Sequence, residues 1–433
     1  MEAESMERRA TRKIRIYPSD DLKKHLEYYF GATRYVYNNA IEFINKRSKE
    51  HYEAKQKGEK SKLGLSKSTV RDQSVIKNAD INEDSSDEWL LNVQYLTRID
   101  ASDEALKNFS TAIKNISKGN IKHFDMKYRS KKKPKQTCYL SHKALNLREK
   151  YFFGNLHHKG LAKRIEKGKK DMSFKVKRKG KKEYNKYFAL NNPHDLKLCV
   201  DNDHYYLHVS IDNPSPILSA NNMKEVVSLD PGVRTFQTGY SPSNRYYKIG
   251  DGFTEDLHKK YLNKMDRLQS ELAENPNKKL QSILNSLRTK VRNRVDDLHK
   301  QTAAFLLKRY NTIIVGDFND KGNAVRRKKR QIGRKTVRGI NLLGHCRFRD
   351  YLSYRASLVN DRQVIVMNEA FTSKTCGACG FIHKELGASK IYNCPKCSYK
   401  ADRDIHGARN ILLKGISAKS TGQGLPACKS LTK

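Results

Sequence analysis

Four cysteines form the most specific pattern in this sequence. They occur as two pairs, Cys376-Gly-Ala-Cys379 and Cys394-Pro-Lys-Cys397, and fourteen residues separate the pairs. This spacing is how four thiolates are brought onto one tetrahedral Zn²⁺ ion. A zinc ion with four thiolate ligands has no open position for a substrate, so we expect this ion to stabilise the fold and not to catalyse a reaction.

A second set of candidate ligands consists of acids at places where elements of secondary structure are expected to begin or end. Three of them follow apolar, β-branched runs and two open the last helical segment. These acids are Asp230, Asp317, Glu369, Asp402 and Asp404. Carboxylates that converge from separate strands can hold two Mg²⁺ ions roughly 4 Å apart, and such a pair of ions hydrolyses phosphodiester bonds. The sequence thus offers the ligands of a magnesium nuclease site.

The elements that must position these acids follow residue 225. Three strands come first, then helical sequence to Tyr310, a buried strand at residues 312–315, a helix at about residues 343–358 and a strand at residues 364–366. The cysteine-rich insert and a short helix, which we expect to end at Gly415, complete the region. This order is that of an RNase H-like nuclease core, in which the first strand lies centrally, beside the strand after the long helix.

The region before residue 225 predicts a helical lobe and a small antiparallel β-barrel. A strand at residues 11–17 precedes helical periodicity with Ser19 as N-cap, in which one helix ends at Gly31 and a second continues to Lys49. Residues 56–80 are polar and lack periodicity, which predicts a loop or a mobile insertion. Basic and apolar residues alternate in short stretches after residue 118, which is typical of barrel strands.

The charge of the chain indicates a polyanionic partner. Its 433 residues include 87 Lys and Arg against 46 Asp and Glu, for a formal charge of +41, and nucleic acid is the partner that such an excess favours. No apolar run approaches the length of a membrane span and no signal peptide is evident, so we expect an intracellular protein. The remaining cysteines show no pairing pattern, which indicates a reducing compartment. They are Cys138, Cys199, Cys346 and Cys428.

Several basic residues are candidate contacts to the nucleic-acid backbone, because basic residues interleaved with aromatic side chains are typical of single-strand-binding surfaces. The candidates are Lys131, Lys132, Lys133, Lys175, Lys177, Arg178, Arg326, Arg327 and Arg330. The run from Arg326 to Arg330 fits a nucleic-acid contact and a nuclear import signal equally well.

Four motifs resemble the split RuvC nuclease and zinc ribbon of the transposon-encoded TnpB proteins, relatives of the type V CRISPR effectors. They are Asp230-Pro-Gly-Val-Arg, His299-Lys-Gln-Thr-Ala, Thr372-Ser-Lys-Thr-Cys376 with its knuckle, and Asp402-Arg-Asp404-Ile-His-Gly-Ala-Arg-Asn. Ile16-Tyr-Pro18 and the segment from Gly31 to Asn38 also resemble the start of that family. The resemblance implies that Asp230 and Asp404 are two of the three catalytic acids. Asp402 is the nearer alternative to Asp404, with a helix N-cap as its structural role.

The third acid departs from the bacterial pattern. That pattern places a glutamate at the end of the second core strand, where this chain has Gly316 followed by Asp317. In the Fanzor proteins, the eukaryotic and giant-virus branch, the glutamate commonly moves to the strand before the zinc ribbon, and Asn368-Glu369-Ala-Phe-Thr-Ser373 resembles that arrangement. Side chains alternate along a strand, so Asp317 should face away from the metals. The resemblance therefore implies Glu369 as the third acid.

A Fanzor-type protein is implied to be an RNA-guided DNA endonuclease linked to a transposable element. It uses Mg²⁺ for cleavage and Zn²⁺ for its ribbon, and its partners are a guide RNA and double-stranded target DNA, with one protein chain per guide RNA and no membrane. In a eukaryotic host its location would be the nucleus. Two alternatives stay open, which are a catalytically inactive nucleic-acid-binding relative and a RuvC-like nuclease that needs no guide.

The predicted fold class is multidomain α+β, with an RNase H-like (RuvC) α/β core, an inserted zinc ribbon, a helical lobe and a small antiparallel barrel. The predicted divisions are residues 1–20 (first barrel strand), 21–125 (helical recognition lobe), 126–222 (remainder of the wedge β-barrel), 223–370 (nuclease core), 371–397 (zinc ribbon), 398–415 (last core motif) and 416–433 (tail).

Overall fold

The computed structural model describes most of the chain and divides it into two compact units. The described residues are 9–59, 62–81, 86–141, 144–146, 151–152, 172–176, 195–212, 225–317, 333–359, 361–387 and 389–420. The units are Met1–Pro214 and Ser215–Lys433. Among the described residues, no helix combines the length and the apolar character that crossing a membrane requires.

The described residues of the first unit form three α-helices. They are α1 (Asp20–Gln56), α2 (Lys67–Ser74) and α3 (Tyr95–Ser117), with short 3₁₀ turns at Asn78–Asp80 and Glu88–Asn92. The Oγ of Ser19 accepts a hydrogen bond from the N–H of Leu22 at 3.2 Å, which confirms the predicted cap. The predicted break at Gly31 is wrong, because this glycine lets α1 pass close to an indole ring. A β-carbon at position 31 would lie 3.3 Å from the ring of Trp89.

Helix α2 lies in the segment that the sequence predicts to be a loop. Of its side chains, only those of Val70 and Ser74 are buried. Two buried positions in eight residues are too few to produce a recognisable apolar period, although their spacing is helical.

The described strands of the first unit form one antiparallel five-stranded sheet and one separate antiparallel pair. They are β1 (Arg9–Pro18), β2 (Lys135–Leu140), β3 (Leu145–Asn146), β4 (Tyr151–Phe152), β5 (Phe174–Lys175), β6 (Leu196–Asp201) and β7 (His204–Asp212). The sheet has the order β2-β6-β7-β1-β5, and β3 pairs with β4. Its apolar face, which includes Ile14, Ile16 and Leu207, shares a core with Leu22 and Leu26 of α1.

The predicted closed barrel is wrong for the part of the first unit that the structure describes. Strands β2 and β5 each have one neighbour, so the sheet is open. Closure requires hydrogen bonds between the first and last strands. Strand β5 pairs only with Tyr17 and Pro18 of β1.

The second unit contains a mixed sheet with helices on both faces. Its helices are α4 (Phe253–Leu257), which continues through a π-helical turn at His258–Leu262 into α5 (Asn263–Glu274), α6 (Lys278–Arg309), α7 (Arg334–Leu343), α8 (His345–Ser357) and α9 (Arg403–Ser420). Its strands are β8 (Val226–Pro231), β9 (Gln237–Tyr240), β10 (Tyr246–Ile249), β11 (Thr312–Gly316), β12 (Gln363–Met367), β13 (Ile391–Asn393) and β14 (Lys400–Asp402).

The main sheet has the order β10-β9-β8-β11-β12. As predicted, the first core strand, β8, is central and lies beside β11, the strand after the long helix. Strand β11 runs parallel to both β8 and β12. The carboxyl ends of these three parallel strands consequently open at the same edge of the sheet, where ligands of open α/β sheets bind.

Alternating side chains of the three strands face different helices. Val227, Leu229 and Val315 share a buried cluster with side chains of α6 and α8, including Leu306 and Phe348. Residues of the opposite parity, Ile314 and Met367 among them, pack with Ile411 and Leu412 of α9. Because the side-chain period of a strand is two, Asp230 and Gly316 belong to the face that α9 covers.

Two predicted helix boundaries are wrong. Helix α7 starts at Arg334, before the single helix that the sequence predicts at about residues 343–358, and Gly344, in a left-handed conformation (φ +57°), separates it from α8. Helix α9 continues past Gly415 to Ser420. A β-carbon at position 415 would lie 2.6 Å from Cδ1 of Ile314, so this glycine serves the contact between helix and sheet and does not end the helix.

Candidate active site and zinc-ligand cluster

Asp230 lies at the end of the central strand, directly beneath helix α9. Two residues earlier, Ser228 donates a hydrogen bond from Oγ to the carbonyl oxygen of Ala408 at 2.6 Å. A β-carbon at position 407 would lie 2.5 Å from Oδ2 of Asp230. The glycine at 407 therefore allows the helix to approach closely enough to cover the Asp230 carboxylate.

Glu369 lies two residues beyond β12, and its side chain reaches back over the neighbouring strand. A β-carbon at position 316 would lie 2.5 Å from Oε2 of Glu369 and 3.4 Å from its Cβ. The space in which a side chain of residue 316 would begin is thus filled by the Glu369 carboxylate.

Asp404 and Asp402 begin helix α9 and have different environments. The Oδ1 of Asp402 accepts hydrogen bonds from the N–H groups of Asp404 (3.0 Å) and Ile405 (3.2 Å), and its Oδ2 accepts one from Nζ of Lys248 at 2.8 Å. Burial raises the pKa of Asp402, but these hydrogen bonds outweigh burial and hold its pKa below the usual range. Asp402 is therefore the helix N-cap.

The charges of Glu369 and Asp404 act on Asp230. Burial raises the pKa of Asp230 well above its usual value, and the negative charges of Glu369 and Asp404 raise this pKa further, whereas Arg403 lowers it. The structure thus brings the three predicted acids together at one edge of the sheet. Like charges held together in this way favour a cation between them.

Carboxylate oxygens are the ligands that Mg²⁺ prefers, so the donor set of these three acids fits this ion. Among the described residues, no group of carboxylates comes together as tightly as the four cysteines do. A wider spacing agrees with ligands that surround ions roughly 4 Å apart.

Asp317 lies on the other face of the sheet. Its Oδ1 accepts a hydrogen bond from Nη1 of Arg349, in α8, at 2.6 Å. Its backbone N–H donates to the carbonyl oxygen of Met367, so the regular pairing of β11 with β12 extends to this residue. The side chain of Asp317 therefore points to the same face of the sheet as that of Val315, which is the face opposite Asp230.

The four cysteines form a compact cluster. Their sulfur atoms all lie within 4.8 Å of one another, and the distances are 3.6 Å between Cys376 and Cys397 and 3.7 Å between Cys379 and Cys394. A tetrahedron with Zn–S bonds of about 2.3 Å has S–S edges of about 3.8 Å. The cluster could therefore bind one zinc ion with little rearrangement.

Helix α9 also holds the cysteine-rich insert. Asn410 donates from Nδ2 to the carbonyl oxygens of Thr372 and Thr375, both at 2.7 Å, and Arg409 donates to that of Gly377 at 3.0 Å. The ring of His406 stacks on Tyr392 with centroids 4.1 Å apart. Sequence reasoning gave these three side chains no role, although their i, i+3 and i, i+4 spacing beside the knuckles is the signal that could have identified them.

A cleft of about 430 Å³ opens beside Asp404. Its lining comes from the β8–β9 turn, β10, the insert and the start of α9. The lining residues are Gly232, Val233, Arg234, Thr235, Lys248, Asp251, Ser389, Lys390, Asp402, Arg403 and Asp404. Arg403 fixes the insert side of the cleft, because its Nη1 donates to the carbonyl oxygens of Gly387 (2.8 Å) and Ser389 (3.2 Å). Sequence reasoning did not predict this basic lining.

The predicted nucleic-acid contacts are only partly covered by the structure. Lys131, Lys132, Lys133 and Lys175 are exposed in the first unit. The others lie outside the described residues, namely Lys177, Arg178, Arg326, Arg327 and Arg330. The four described lysines are accessible to a polyanion, and Lys133 also lines a pocket of the first unit.

Three family models match separate parts of the chain. A Cas12f1-like TNB domain matches residues 345–411, the probable transposase model OrfB_IS605 matches residues 206–327, and its helix-turn-helix model matches residues 6–55. The described residues of the last range form strand β1 and the single helix α1.

Curated relatives match nearly the whole chain. A TnpB-like protein of Acanthamoeba polyphaga mimivirus is 27% identical over 94% of this chain and 73% of the relative. A "Putative RNA-guided DNA endonuclease" of Streptomyces pristinaespiralis is 24% identical over 95% of this chain and 91% of the relative. The solved structure of a Cas12f1–sgRNA–target DNA complex aligns with a TM-score of 0.49 and 13% identity, covering 94% of this chain and 98% of that one. The chain is thus similar to TnpB and IS605-type proteins, including giant-virus homologues.

Proposed function

We propose that this TnpB-like chain is an RNA-guided DNA endonuclease that hydrolyses phosphodiester bonds with Mg²⁺. One observation carries the proposal, which is the meeting of Asp230 and Glu369, at the carboxyl ends of parallel strands, with Asp404 in the first turn of α9. The names of the relatives support the guided activity, and the formal charge of +41 supports a nucleic-acid partner.

In the proposed site the three acids hold the metal ions and define where the phosphate lies. Helix α9 covers the Asp230 carboxylate and so restricts its motion. The Glu369 carboxylate occupies the space that the missing side chain of Gly316 leaves open. Bound Mg²⁺ would supply water with a lowered pKa and stabilise the charge on the leaving oxygen. Lys248 neutralises Asp402 and thereby keeps the N-cap of α9 ordered beside Asp404.

We propose that the second unit is an RNase H-like, RuvC-type core with a zinc ribbon inserted before its last helix. The sheet order and the sulfur distances support this assignment. The zinc ion would stabilise the ribbon, and the finer domain boundaries predicted from the sequence belong to the same proposal. We further propose a Fanzor-type protein linked to a transposable element, because Glu369 takes the place that Gly316 leaves empty.

The proposed partners are one guide RNA per protein chain and a double-stranded DNA target, with the nucleus as the location in a eukaryotic host. The experiment that tests the function is to sequence the RNA that copurifies with the protein and to add matching DNA. We expect one enriched RNA with a constant and a variable segment, and cleavage only when both Mg²⁺ and this RNA are present. Equal cleavage by RNA-free protein would leave a nuclease without a guide.

A second candidate is a nucleic-acid-binding relative without catalytic activity, which the absence of an acidic side chain at Gly316 favours. The same experiment separates the two candidates. Guided binding of the target without cleavage at any Mg²⁺ concentration would support the inactive relative.

A further inference from the structure

A pocket in the first unit combines features that a structural ion pair does not explain. Its volume is about 330 Å³, and helices α1 and α3, the segment before β2, and strands β2 and β6 form its walls. The lining residues are Phe30, Thr33, Arg34, Glu104, Arg129, Ser130, Lys133, Lys135, Gln136, Thr137 and Lys197. Five of these side chains are cationic and one is a carboxylate. The volume lies at the lower end of the range for small-ligand sites, about 300–1,000 Å³.

Two residues that line this pocket each have a buried side-chain oxygen with no hydrogen-bond partner among the described residues. The two oxygens are Oγ1 of Thr33, a residue that is 2% exposed, and Oε2 of Glu104. Leaving a buried polar group unpaired costs about 1–3 kcal/mol, so buried groups are normally paired. Both atoms belong to residues that line the same cavity, which points to a ligand that supplies their partners.

The cations around these atoms are held in place by the protein. Arg129 donates from Nη2 to Oε1 of Glu104 at 2.9 Å, and its guanidinium lies 3.8 Å from the ring centre of Tyr37. The side chain of Asn38 binds both the N–H (2.7 Å) and the carbonyl oxygen (3.1 Å) of Arg129. Arg34 donates to Oε1 of Gln136. A site ordered in this way loses little side-chain entropy when a ligand binds.

The charges of the pocket restrict the chemistry of the ligand. Five cations favour an anion, but a simple phosphate would meet the free oxygen of Glu104, which accepts hydrogen bonds and repels negative charge. The ligand must therefore carry an anionic group and, a few ångströms away, an N–H donor. A nucleotide whose base has an exocyclic amino group, such as cytidine, has both, because a carboxylate accepts readily from an amino group of this kind.

We propose that this pocket binds one nucleotide of a nucleic-acid strand, with its phosphate against the lysines and arginines and its base amino group donating to Glu104. The strand is the guide RNA or the target DNA, and only this assignment depends on the proposed function. Uridine is disfavoured, because it places a carbonyl oxygen where cytidine has its amino group.

The test measures binding of CMP and UMP, a pair that differs mainly in this amino group, to the full-length chain after removal of copurified RNA. Equilibrium dialysis at constant ionic strength and without Mg²⁺ should show that CMP binds about tenfold more tightly, since a hydrogen bond to a charged group has about this effect. The Glu104→Gln variant should reduce this preference to less than about twofold. Other cationic sites bind both nucleotides equally and can only reduce the measured ratio, so a preference for CMP arises at a site that distinguishes the two bases.

Asp103→Asn is the matched control, because Asp103 is adjacent to Glu104 on α3 and pairs with Arg71 (2.6 Å), away from the pocket. It should leave the preference for CMP unchanged. Thr33→Val is a second variant that removes a hydroxyl without a protein partner. It should weaken CMP binding several-fold without lowering the melting temperature. Equal binding of CMP and UMP to the wild-type chain, or loss of the preference in Asp103→Asn as well, would overturn the proposal.

Further titrations identify the strand that supplies the nucleotide. If guide RNA fills the pocket, the protein–RNA complex no longer binds CMP. If target DNA fills it, CMP binding persists in that complex and disappears when matching DNA is added. Persistence of CMP binding in both complexes would contradict the assignment to a strand. None of these measurements depends on cleavage, so they remain informative if the proposed nuclease activity fails its own test.

Discussion

The carboxylate of Glu369 occupies the space in which a side chain of residue 316 would begin. A β-carbon at that position would come within 2.5 Å of Oε2 of Glu369, so the glycine and the glutamate are sterically linked. A glutamate at 316 and the observed position of Glu369 would exclude each other. The chain thus has room for one acid at this point of the sheet edge, and the strand that supplies the acid is β12 and not β11.

Replacing Glu369 by glutamine should lower the rate of DNA cleavage on the order of 10³-fold, as expected when one ligand of a catalytic unit is lost. Affinities for guide RNA and target DNA should stay near those of the wild type, because the side chain contacts the reacting phosphate only through the metal site. The measurement is single-turnover cleavage beside a binding assay on the same preparation.

Asp317→Asn is the control for this variant. Asp317 has the same charge, lies one residue beyond β11 and pairs with Arg349 on the other face of the sheet. We expect a change of less than about threefold, since an exposed ion pair contributes little to stability. A large loss in Asp317→Asn together with full activity in Glu369→Gln would reverse the assignment of the third acid.

Adding a single methyl group at Gly316 should impair the site without removing any acid. Gly316→Ala would force the Glu369 carboxylate away from its present position, and a shift of about 1 Å in a reacting group costs about 10² in rate. Gly333→Ala serves as the control, because no atom lies within 4 Å of a β-carbon at that position. Unchanged cleavage by Gly316→Ala would show that Glu369 acts from elsewhere.

A methyl group at Gly407 should affect the Asp230 side of the site in the same way. The β-carbon of Gly407→Ala would lie 2.5 Å from Oδ2 of Asp230, so either the carboxylate or helix α9 must move. We expect cleavage to fall at least tenfold while zinc content stays at about one ion per chain, because the contacts from α9 to the insert lie elsewhere on the helix. Elemental analysis and cleavage of the same sample provide the check.

The order of the sheet and the positions of its acids could be predicted because both follow from rules that apply to any sequence. Parallel strands open at the same edge, and alternation along β11 assigns positions 316 and 317 to opposite faces without knowledge of their neighbours. The prediction of Glu369 as the third acid depended on a resemblance, since the side chain of an acid two residues beyond a strand has no fixed direction.

The errors in the prediction concern residues whose role is decided by distant neighbours. Gly31 and Gly415 have the residue type that ends helices, yet each lies within a helix because its missing side chain admits Trp89 or Ile314. No sequence pattern near these glycines indicates those contacts. The prediction of a barrel in the first unit was wrong for a related reason. Alternation indicates that strands exist but not whether the first and last of them pair.

Removal of one knuckle ligand should affect both zinc content and cleavage. Cys394→Ser should lower zinc from about one ion per chain to well below one and reduce solubility, since zinc binding by such a site is coupled to its folding. Cleavage should fall as well, because α9 holds the insert through His406, Arg409 and Asn410. The buried Cys199 is the control, and Cys199→Ser should retain its zinc. Active wild-type protein without zinc would contradict this prediction.

The stability of the second unit should decrease in mild acid because of one buried histidine. Burial lowers the pKa of His299 from 6.5 to about 4, although its hydrogen bond to the carbonyl oxygen of Leu343 opposes this shift. Between pH 6.5 and about 4, His299 is therefore mostly protonated in the unfolded chain but mostly neutral in the folded chain. The contribution of His299 to the free energy of unfolding is complete above pH 6.5 and is lost as the pH falls to about 4. The loss is at most about 3 kcal/mol.

Urea unfolding of the wild type and of His299→Gln between pH 7 and pH 4.5 measures this contribution. The slope of unfolding free energy against pH should be smaller in the variant, whatever its stability at pH 7. His123→Gln, at an exposed position of the first unit, should keep the slope of the wild type. Equal slopes in all three proteins would contradict the prediction.

Helix α9 contacts the zinc-ligand insert through one set of side chains and the acid site through Asp404 and the backbone at Gly407. Binding at either site therefore involves the same part of one helix, through which the two affinities can be linked. If zinc orders α9 and so raises the affinity of the acids for Mg²⁺, thermodynamics requires Mg²⁺ to raise the affinity of the thiolates for zinc by the same factor. Chelators should then remove zinc more readily from Mg²⁺-free protein than from protein loaded with Mg²⁺.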